Sequence, residues 1–318
     1  MRITSGYQII QKLKRWVTFT GGLLLIAACS QPHEPVNLAG NSWLGYQPLF
    51  VYQELNPDSS ITSKLKLHLL PATSNVVRLM AEGQLDGGLL TLDEALSYQQ
   101  DVNDPLCVAK VLDISLGADA LLMQPNWRAQ PEPLKIAHEI KTVGSYILDR
   151  ALAAGVFEGR EIISVAATPN MQVELFNSKQ VDGVISFYPT LGELKKLGAE
   201  IIFDSRQISG EIIDVLVIKR SIWLQHQQHI ESYIRQAWDQ TVSKIKTRDH
   251  KVMELIAANT QMPLESVSSA LANLKLIGAT RPQEFDLERA TTSLQKYLLD
   301  NELLREPVKL DYCMVESR

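Results

Sequence analysis

The sequence predicts an α/β protein of two lobes, each a mainly parallel sheet flanked by helices, with a hinge between the lobes. Two observations carry this prediction: an internal repeat at an offset of 95 to 96 residues, and short apolar strands that alternate with amphipathic helices. Such alternation is typical of parallel sheets covered by helices on both faces.

The repeat starts with Ala-Thr-Ser-Asn at residues 72–75 and with Ala-Thr-Pro-Asn at residues 167–170. A helical stretch follows in each copy, and then an Asp-Gly turn at Asp86 or Asp182 leads into an apolar strand. Because such a turn requires its Asp whatever a cleft holds, we interpret both Asp residues as structural. Two copies of one strand-helix-strand unit predict two sheets.

The strands predicted in chain order are residues 43–46, 65–70, 107–112, 120–123, 142–144, 162–166, 200–203 and 213–218. From residue 221 onward the pattern is almost wholly helical, with helices at residues 222–246, 250–259, 264–274 and 284–299. We expect this late segment to pack on the first lobe.

The chain then has to cross between the lobes twice, near residues 115–120 and near residues 207–214. Two crossings make a hinge. The predicted boundaries are 41–118 for the first part of lobe 1, 119–212 for lobe 2 and 213–318 for the second part of lobe 1.

The amino terminus has the features of an export signal. Four basic residues without any acidic residue precede an apolar run at residues 17–28, which is too short to span a bilayer comfortably. Leu-Ile-Ala-Ala-Cys at residues 25–29 is similar to a bacterial lipobox, in which the Cys is lipidated. We predict a signal peptide over residues 1–28, a lipid anchor on Cys29 and a tether over residues 29–40. The alternative is a buried helix with an incidental Cys.

The composition is that of a globular protein, with 45% hydrophobic and 21% charged residues. Without the signal, 27 basic and 36 acidic residues remain, a net charge of −9, which argues against nucleic acid as a partner. Two further cysteines are Cys107, in a strand-like run, and Cys313, near the end. An oxidising compartment permits a disulfide, but we expect free or merely buried thiols.

Several segments occur in the order known from one protein family, at residues 43–48 (WLGYQP), 81–88 (AEGQLDGG), 90–96 (LTLDEAL), 117–120 (GADA), 181–191 (VDGVISFYPTL) and 210–217 (GEIIDVLV). Through them the chain resembles the nitrate, sulfonate, taurine and thiamin-precursor group of ABC-transporter substrate-binding proteins. The resemblance implies a type II periplasmic-binding-protein fold that captures a ligand between its lobes. It implies a small-molecule solute and an ABC permease as partners, and a monomer facing the periplasm or cell exterior.

Ligands of open α/β sheets gather beyond the carboxyl ends of strands, at helix amino termini. This rule selects Tyr46, Gln47, Asn75, Thr91 and Asp93 in the first lobe, Ser145, Tyr146, Asn170, Phe187 and Tyr188 in the second, and Asp119, Glu211 and Asp214 at the crossings. Each has a structural alternative: Thr91 and Glu94 form a capping box, the aromatic residues suit a core, and the acids suit solvent or ion pairs.

Two features favour opposite ligand charges. The helix amino termini favour an anion. The predicted cleft segments contain five acids and no basic residue, and buried carboxylates require something positive beside them. We therefore predict a small ligand with an amine or another cationic nitrogen, either a simple cation or a zwitterion.

An enzyme is not expected, because no Gly-x-Ser-x-Gly, P-loop, His-Glu-x-x-His or paired-Cys metal motif occurs, and the six His residues are scattered. No cofactor or metal is expected either. Two rival functions remain open: a ligand-sensing lipoprotein that signals to a membrane receptor, and a purely structural outer-membrane lipoprotein.

Overall fold

The computed structural model describes residues 34–278 and 285–313. The predicted signal peptide, Cys29 and the first part of the predicted tether lie outside the described residues. None of the helices within these two ranges combines the length and the apolar character required to cross a membrane.

The strands of the described residues are β1 (Val36–Gly40), β2 (Leu65–Leu69), β3 (Gly87–Thr91), β4 (Leu106–Ser115), β5 (Asp119–Met123), β6 (Leu134–His138), β7 (Ile162–Ala166), β8 (Gly183–Phe187), β9 (Glu200–Asp204), β10 (Ile213–Lys219), β11 (Leu274–Leu276) and β12 (Asp311–Tyr312). They form two sheets. One has the order β11-β4-β10-β3-β1-β2, with β12 beside β4, and the other has the order β7-β6-β8-β5-β9. We call the first sheet with its helices lobe 1, and the second lobe 2.

The helices are α1 (Gln47–Leu55), α2 (Thr73–Ala81), α3 (Leu92–Asp101), α4 (Val143–Ala153), α5 (Pro169–Asn177), α6 (Thr190–Lys196), α7 (Arg220–Tyr233), α8 (Asp239–Lys246), α9 (His250–Thr260), α10 (Leu264–Leu271) and α11 (Leu287–Asp300). A π-helical segment, Ile234–Trp238, joins α7 to α8. Helices α7 to α10 pack on lobe 1, as the cluster of buried residues that joins them to β1, β2, β4 and α1 shows. Helix α11 packs on α3 of lobe 1, and its Tyr297 also contacts Tyr146 of α4 in lobe 2. The predicted two-lobed α/β fold is confirmed.

Both sheets are mixed, whereas the sequence predicted mainly parallel ones. In lobe 1, β1 runs parallel to β2 and β3, but β10 runs antiparallel to β3 and β4. In lobe 2, β6 runs parallel to β7 and β8, but β5 runs antiparallel to β8 and β9. The reason is the double crossing: β4 leads out of lobe 1 and β10 leads back in, so the two neighbouring strands run in opposite directions.

The chain crosses between the sheets at residues 116–118, after β4, and at residues 205–212, after β9. Hydrogen bonds tie the two crossings together. Ser115 Oγ and Ser205 Oγ lie 2.8 Å apart, and the Gly117 N–H donates to Ser205 Oγ at 2.6 Å. Both connections therefore meet at one place, which is the geometry of a hinge.

The two Asp residues of the repeat have equivalent roles. Asp86 Oδ2 accepts from the Asn37 N–H of β1 at 2.8 Å, and Asp182 Oδ2 accepts from the Lys135 N–H of β6 at 2.8 Å. In each lobe the turn before a strand is thus tied to the start of the neighbouring parallel strand. These contacts agree with the structural interpretation of both residues.

Three predicted segments differ from the structure. The predicted tether reached residue 40, but its last five residues form β1, an inner strand of the first sheet. A stretch of five residues is too short for its periodicity to identify a strand. The predicted strand 43–46 is a 3₁₀ turn that leads into α1, where Pro48 lies in the first turn. The predicted strand 142–144 is the start of α4, because Thr142 caps that helix.

The expectation of free thiols is wrong, because Cys107 and Cys313 form a disulfide with Cα atoms 5.5 Å apart. Strand β12 runs parallel to β4, and the Cys313 N–H donates to the Val108 carbonyl at 2.9 Å. This pairing places the last described residue beside β4 near one edge of the first sheet, a contact that 206 residues of sequence separation concealed.

Candidate functional site

A small cavity with a volume of about 10 Å³ lies between the two lobes. Its lining residues come from both lobes. Most lie at or after the carboxyl ends of five strands, β1, β2, β3, β6 and β8, and two lie at the starts of β5 and β10, next to the crossings. They are Asn41, Trp43, Tyr46, Thr73, Thr91, Glu94, Asp119, Val143, Phe187 and Asp214. This position, beyond the carboxyl ends of strands, is where open α/β sheets bind ligands.

Aromatic rings form one wall of the cavity. The Trp43 ring of lobe 1 meets the Phe187 ring of lobe 2 edge to face, with centroids 5.6 Å apart. Tyr46 is buried and its hydroxyl donates to Asp214 Oδ1 at 2.6 Å. The wall therefore combines apolar surface with a polar group held in place, which is typical of small-ligand sites.

Asp113 and Asp214 face each other across the paired strands β4 and β10. Asp113 Oδ2 accepts from Trp43 Nε1 at 3.3 Å. A Cβ at Gly45 would collide with this carboxylate and with the indole, so the position requires glycine for close approach. The 3₁₀ turn is thereby held against the two acids.

Several carboxylate oxygens at the cavity have no hydrogen-bond partner. They are Oδ1 of Asp113 and Oδ2 of Asp119 and Asp214, whose side chains are at most 3% exposed. Leaving a buried acceptor without a partner costs about 1 to 3 kcal/mol, and more for a charged group. Asp113 and Asp214 hydrogen-bond to each other when one of them is protonated, whereas Asp119 Oδ2 is open to a donor that the described residues do not supply.

Burial raises the pKa of every carboxyl group in this cluster. The pKa of Asp119 rises to about 7, with a further contribution from the charge of Asp93. The pKa of Asp113 rises to about 8 through burial and the charge of Asp119. Burial together with Asp113 raises the pKa of Asp214 well above its usual value.

The same holds for the acids of α3. Burial raises the pKa of Glu94 to about 8, with the charge of Asp93 adding to the shift, and raises the pKa of Asp93 to about 6. No Lys, Arg or His is among the residues that line the cavity in the described part of the chain. The shifts of these acids favour their protonated forms, and no cation among the described lining residues offsets them.

Two carboxylates bridge the lobes at helix amino termini. Glu94 of lobe 1 accepts from the Val143 N–H, in the first turn of α4 in lobe 2, at 3.1 Å, and from the Thr91 N–H at 2.9 Å. Glu139 of lobe 2 accepts from the Ser74 N–H, in the first turn of α2 in lobe 1, at 2.6 Å. Each lobe thus supplies a carboxyl acceptor to a helix of the other.

Of the residues predicted from sequence, the structure brings Tyr46, Thr91, Asp119, Phe187 and Asp214 together around the cavity. Gln47 and Asp93 are buried beside lining residues but do not line the cavity. Gln47 Nε2 donates to the Trp43 carbonyl at 3.3 Å, so it supports the turn that carries Trp43 and Tyr46.

Six predicted residues lie elsewhere. Asn75 and Ser145 are partly exposed in the first turns of α2 and α4, and Ser145 Oγ accepts from the Lys141 N–H at 2.9 Å. Asn170 is exposed and accepts from the Thr168 hydroxyl.

The other three lie in two separate cavities. Tyr146 donates to Glu211 at 2.5 Å, and Arg150 pairs with Glu211 at 2.8 Å, beside a cavity at α11. Tyr188 lines a third cavity between α6 and the start of α10. The strand-end rule did not determine which way each of these side chains points.

Sequence reasoning missed Asn41, Trp43, Thr73 and Val143 as lining residues, together with Asp113 and Glu139, which pack behind them. Asp113 could have been found from the sequence, because it is the one acid in the largely apolar strand β4 (LCVAKVLDIS). A carboxylate is seldom buried in such a strand unless it has a partner or a function. Asn41 also positions others: its amide donates to Thr73 Oγ1 at 2.9 Å and its oxygen accepts from the Trp43 N–H at 2.8 Å.

No group of three or more His, Cys, Asp or Glu side chains among the described residues is arranged to hold a metal ion. The acids instead lie spread around the cavity wall. Such an arrangement suits an organic cation whose charge is shared by several acceptors.

Comparison with solved structures shows the fold of periplasmic binding proteins. The chain superposes on the alkanesulfonate-binding protein SsuA from Xanthomonas axonopodis pv. citri, bound to MOPS, with a TM-score of 0.71 and 14% identity, covering 89% of this chain and 99% of that one. For the ligand-binding component of an ABC-type import system from Staphylococcus aureus, with zinc bound, the TM-score is 0.68 and the identity 11%, covering 86% and 94%.

The same fold is found in the desulfurization enzyme DSZB, with a TM-score of 0.59 and 15% identity, covering 86% of this chain and 95% of that one. The sequence matches no protein-family model and no curated protein. The fold expected from the sequence resemblance is confirmed, and at these identities the likeness shows the fold alone.

Proposed function

We propose that this chain is an extracytoplasmic solute-binding protein that captures a small molecule with a cationic nitrogen in the interlobe cavity. It delivers that molecule to the permease of an ABC importer and does not convert it chemically. Structural likeness to the ligand-binding component of an ABC-type import system supports the delivery step.

One observation carries the ligand class: Asp119 and Asp214 line a cavity that has no basic residue among its described lining residues, and each has a buried carboxylate oxygen without a hydrogen-bond donor when both acids are ionised. An ammonium group donates hydrogen bonds to both acids and neutralises their charge. The rings of Trp43 and Tyr46 add cation-π attraction of about 0.5 to 2 kcal/mol. A simple anion gains neither interaction.

The cellular setting follows from the amino terminus and the disulfide. We propose that residues 1–28 direct export and that Cys29 carries a lipid anchor, so that a monomer faces the periplasm or the cell exterior. The pairing of Cys107 with Cys313 supports this setting, because disulfides persist in oxidising compartments. A Cys29→Ser variant is expected to lose incorporation of a labelled fatty acid, and undiminished label in that variant rejects the anchor.

The ligand class is tested by isothermal titration calorimetry with a panel of primary, secondary and quaternary amines and a panel of anions that includes nitrate and short sulfonates. Amines are expected to bind, and Asp119→Asn and Asp214→Asn are each expected to weaken binding at least about tenfold, because each removes one partner of a buried charge pair.

Asp300→Asn is the matched control, since Asp300 is exposed and pairs only with Lys296 on the surface of α11. It changes the net charge by the same amount and is expected to leave amine binding unchanged. Tight binding of a simple anion that is undiminished in both cavity variants rejects the proposed ligand class.

A further inference from the structure

Two helix amino termini approach the interlobe cavity from opposite lobes. Thr73 in the first turn of α2 and Val143 in the first turn of α4 both line the cavity. Free N–H groups and the positive end of the helix dipole make such termini attractive to anionic ligand groups. By this criterion alone, the cavity is suited to a carboxylate, sulfonate or phosphate.

Both termini are already occupied by glutamates of the opposite lobe. Glu94 fills the terminus of α4 through the Val143 N–H at 3.1 Å, and Glu139 fills the terminus of α2 through the Ser74 N–H at 2.6 Å. Both side chains are more than nine-tenths buried. A ligand anion would therefore have to displace a buried protein carboxylate.

A second observation concerns what remains free in the cavity. The unpartnered oxygens of Asp119 and Asp214 line it and are themselves nine-tenths buried or more. The N–H groups of the two helix termini are thus occupied, whereas one carboxylate oxygen each of Asp119 and Asp214 has no hydrogen-bond donor. The electrostatic complement of this arrangement is a cation without an acidic group.

We propose that Glu94 and Glu139 are specificity-determining residues whose carboxyl oxygens occupy the two helix termini: they close these termini to ligand carboxylates, sulfonates and phosphates, so that the site selects simple cations and rejects zwitterions. This inference rests on the proposed function and narrows it, because the cationic-nitrogen class also includes amino acids and taurine.

The test uses three probes with the same two-carbon skeleton: ethylamine as a cation, taurine as a zwitterion and ethanesulfonate as an anion. Binding is measured by calorimetry on the wild-type chain, Glu139→Ala and Glu139→Gln. The wild type is expected to bind ethylamine and to bind the two sulfonates at least about tenfold more weakly.

Glu139→Ala exposes the Ser74 N–H and is expected to gain at least about tenfold in affinity for taurine and ethanesulfonate. Glu139→Gln leaves an amide oxygen near that N–H and is expected to gain less. If Glu139→Ala loses its folded circular dichroism spectrum, Glu94→Ala replaces it, since that change exposes the Val143 N–H at the other terminus.

Two results overturn the inference: a wild type that binds ethanesulfonate as tightly as the alanine variant does, or a folded alanine variant without any gain for either sulfonate. Failure of the proposed ligand class looks different. In that case ethylamine does not bind the wild type, while the alanine variant still gains affinity for ethanesulfonate.

Discussion

At the scale of single residues, the chemistry of the molecule is concentrated in carboxyl groups that share one buried space. Asp113 and Asp214 are neighbours across two strands, and Asp119 begins the first strand of the other lobe. Since burial raises the pKa of each, the folded protein binds protons that the unfolded chain has already released. Stability therefore depends on pH through these residues.

The free energy of unfolding of the ligand-free protein is expected to fall as the pH rises from about 4 to about 8, because the pKa of Asp119 lies near 7 and that of Asp113 near 8 in the folded state, against 3.8 unfolded. In the Asp119→Asn variant this fall is expected to be shallower, with a melting temperature above that of the wild type at pH 8. Scanning calorimetry between pH 4.5 and 8 measures both.

The exposed Asp300→Asn variant again serves as the control and is expected to follow the wild-type pH profile. One kcal/mol shifts the melting temperature by roughly 2 to 4 °C in domains of about 150 to 250 residues, so the difference is measurable. Parallel pH profiles for the wild type and Asp119→Asn contradict a raised pKa at this position.

At the scale of elements, the crossings depend on backbone conformations that few residues adopt. Gly117 lies between β4 and β5 with φ of +108°, and a Cβ there would meet Arg206 Nε at 3.1 Å and Asn273 Oδ1 at 3.2 Å. Its N–H also donates to Ser205 in the return crossing. One glycine therefore controls the close approach of both connections.

Gly117→Ala is expected to lower the free energy of unfolding by about 1 to 3 kcal/mol, because a side chain is strained at this φ and crowded by Arg206. Urea unfolding followed by circular dichroism measures the loss. Gly155→Ala is the matched control, since Gly155 also has positive φ, at +70°, but follows α4 with no atom near its added Cβ.

Both variants are expected to lose stability, but only Gly117→Ala is expected to change the affinity for amines, because only Gly117 lies in a crossing. Equal effects of the two substitutions on affinity argue against a role of Gly117 in the hinge.

The disulfide joins another pair of elements, β4 and the segment around β12. Cys313→Ser is expected to lower the free energy of unfolding by about 2 to 4 kcal/mol, because the bond closes a loop of 206 residues in the unfolded chain. Thermal unfolding with and without dithiothreitol measures it. The reductant is expected to destabilise the wild type and not the variant; no effect on the wild type shows that the thiols are free.

At the scale of the whole molecule, the lobes are held together by contacts that a ligand would complete. The cross-lobe bonds of Glu94 and Glu139 and the edge-to-face contact of Trp43 with Phe187 all lie around the cavity. A ligand between Asp119 and Asp214 adds attraction between the lobes. Ligand binding is therefore expected to shift the equilibrium between open and closed arrangements of the lobes toward the closed one.

Small-angle scattering is expected to show a smaller radius of gyration when the best amine is added to the wild type. Glu139→Ala removes one cross-lobe bond, so its ligand-free form is expected to be more open and its contraction on amine binding larger. An unchanged profile with the amine demonstrably bound contradicts hinge closure.

Local and periodic patterns alone determined the α/β class, the two repeated units, the Asp-Gly turns at Asp86 and Asp182 and the capping box of Thr91 with Glu94. Each of these depends on residues within one or two elements, where spacing along the chain reports spacing in space.

Only the tertiary structure decided which of the strand-end residues share the cavity. Tyr46 meets Asp214 across 168 positions of sequence, and Cys107 meets Cys313 across 206. The mixed sheets and the glutamates that fill the helix termini of the opposite lobe likewise follow from how two lobes face each other. The spacing of residues along the chain does not predict such contacts. The burial and direction of a loop side chain depend on the surface of the opposite lobe that packs against it.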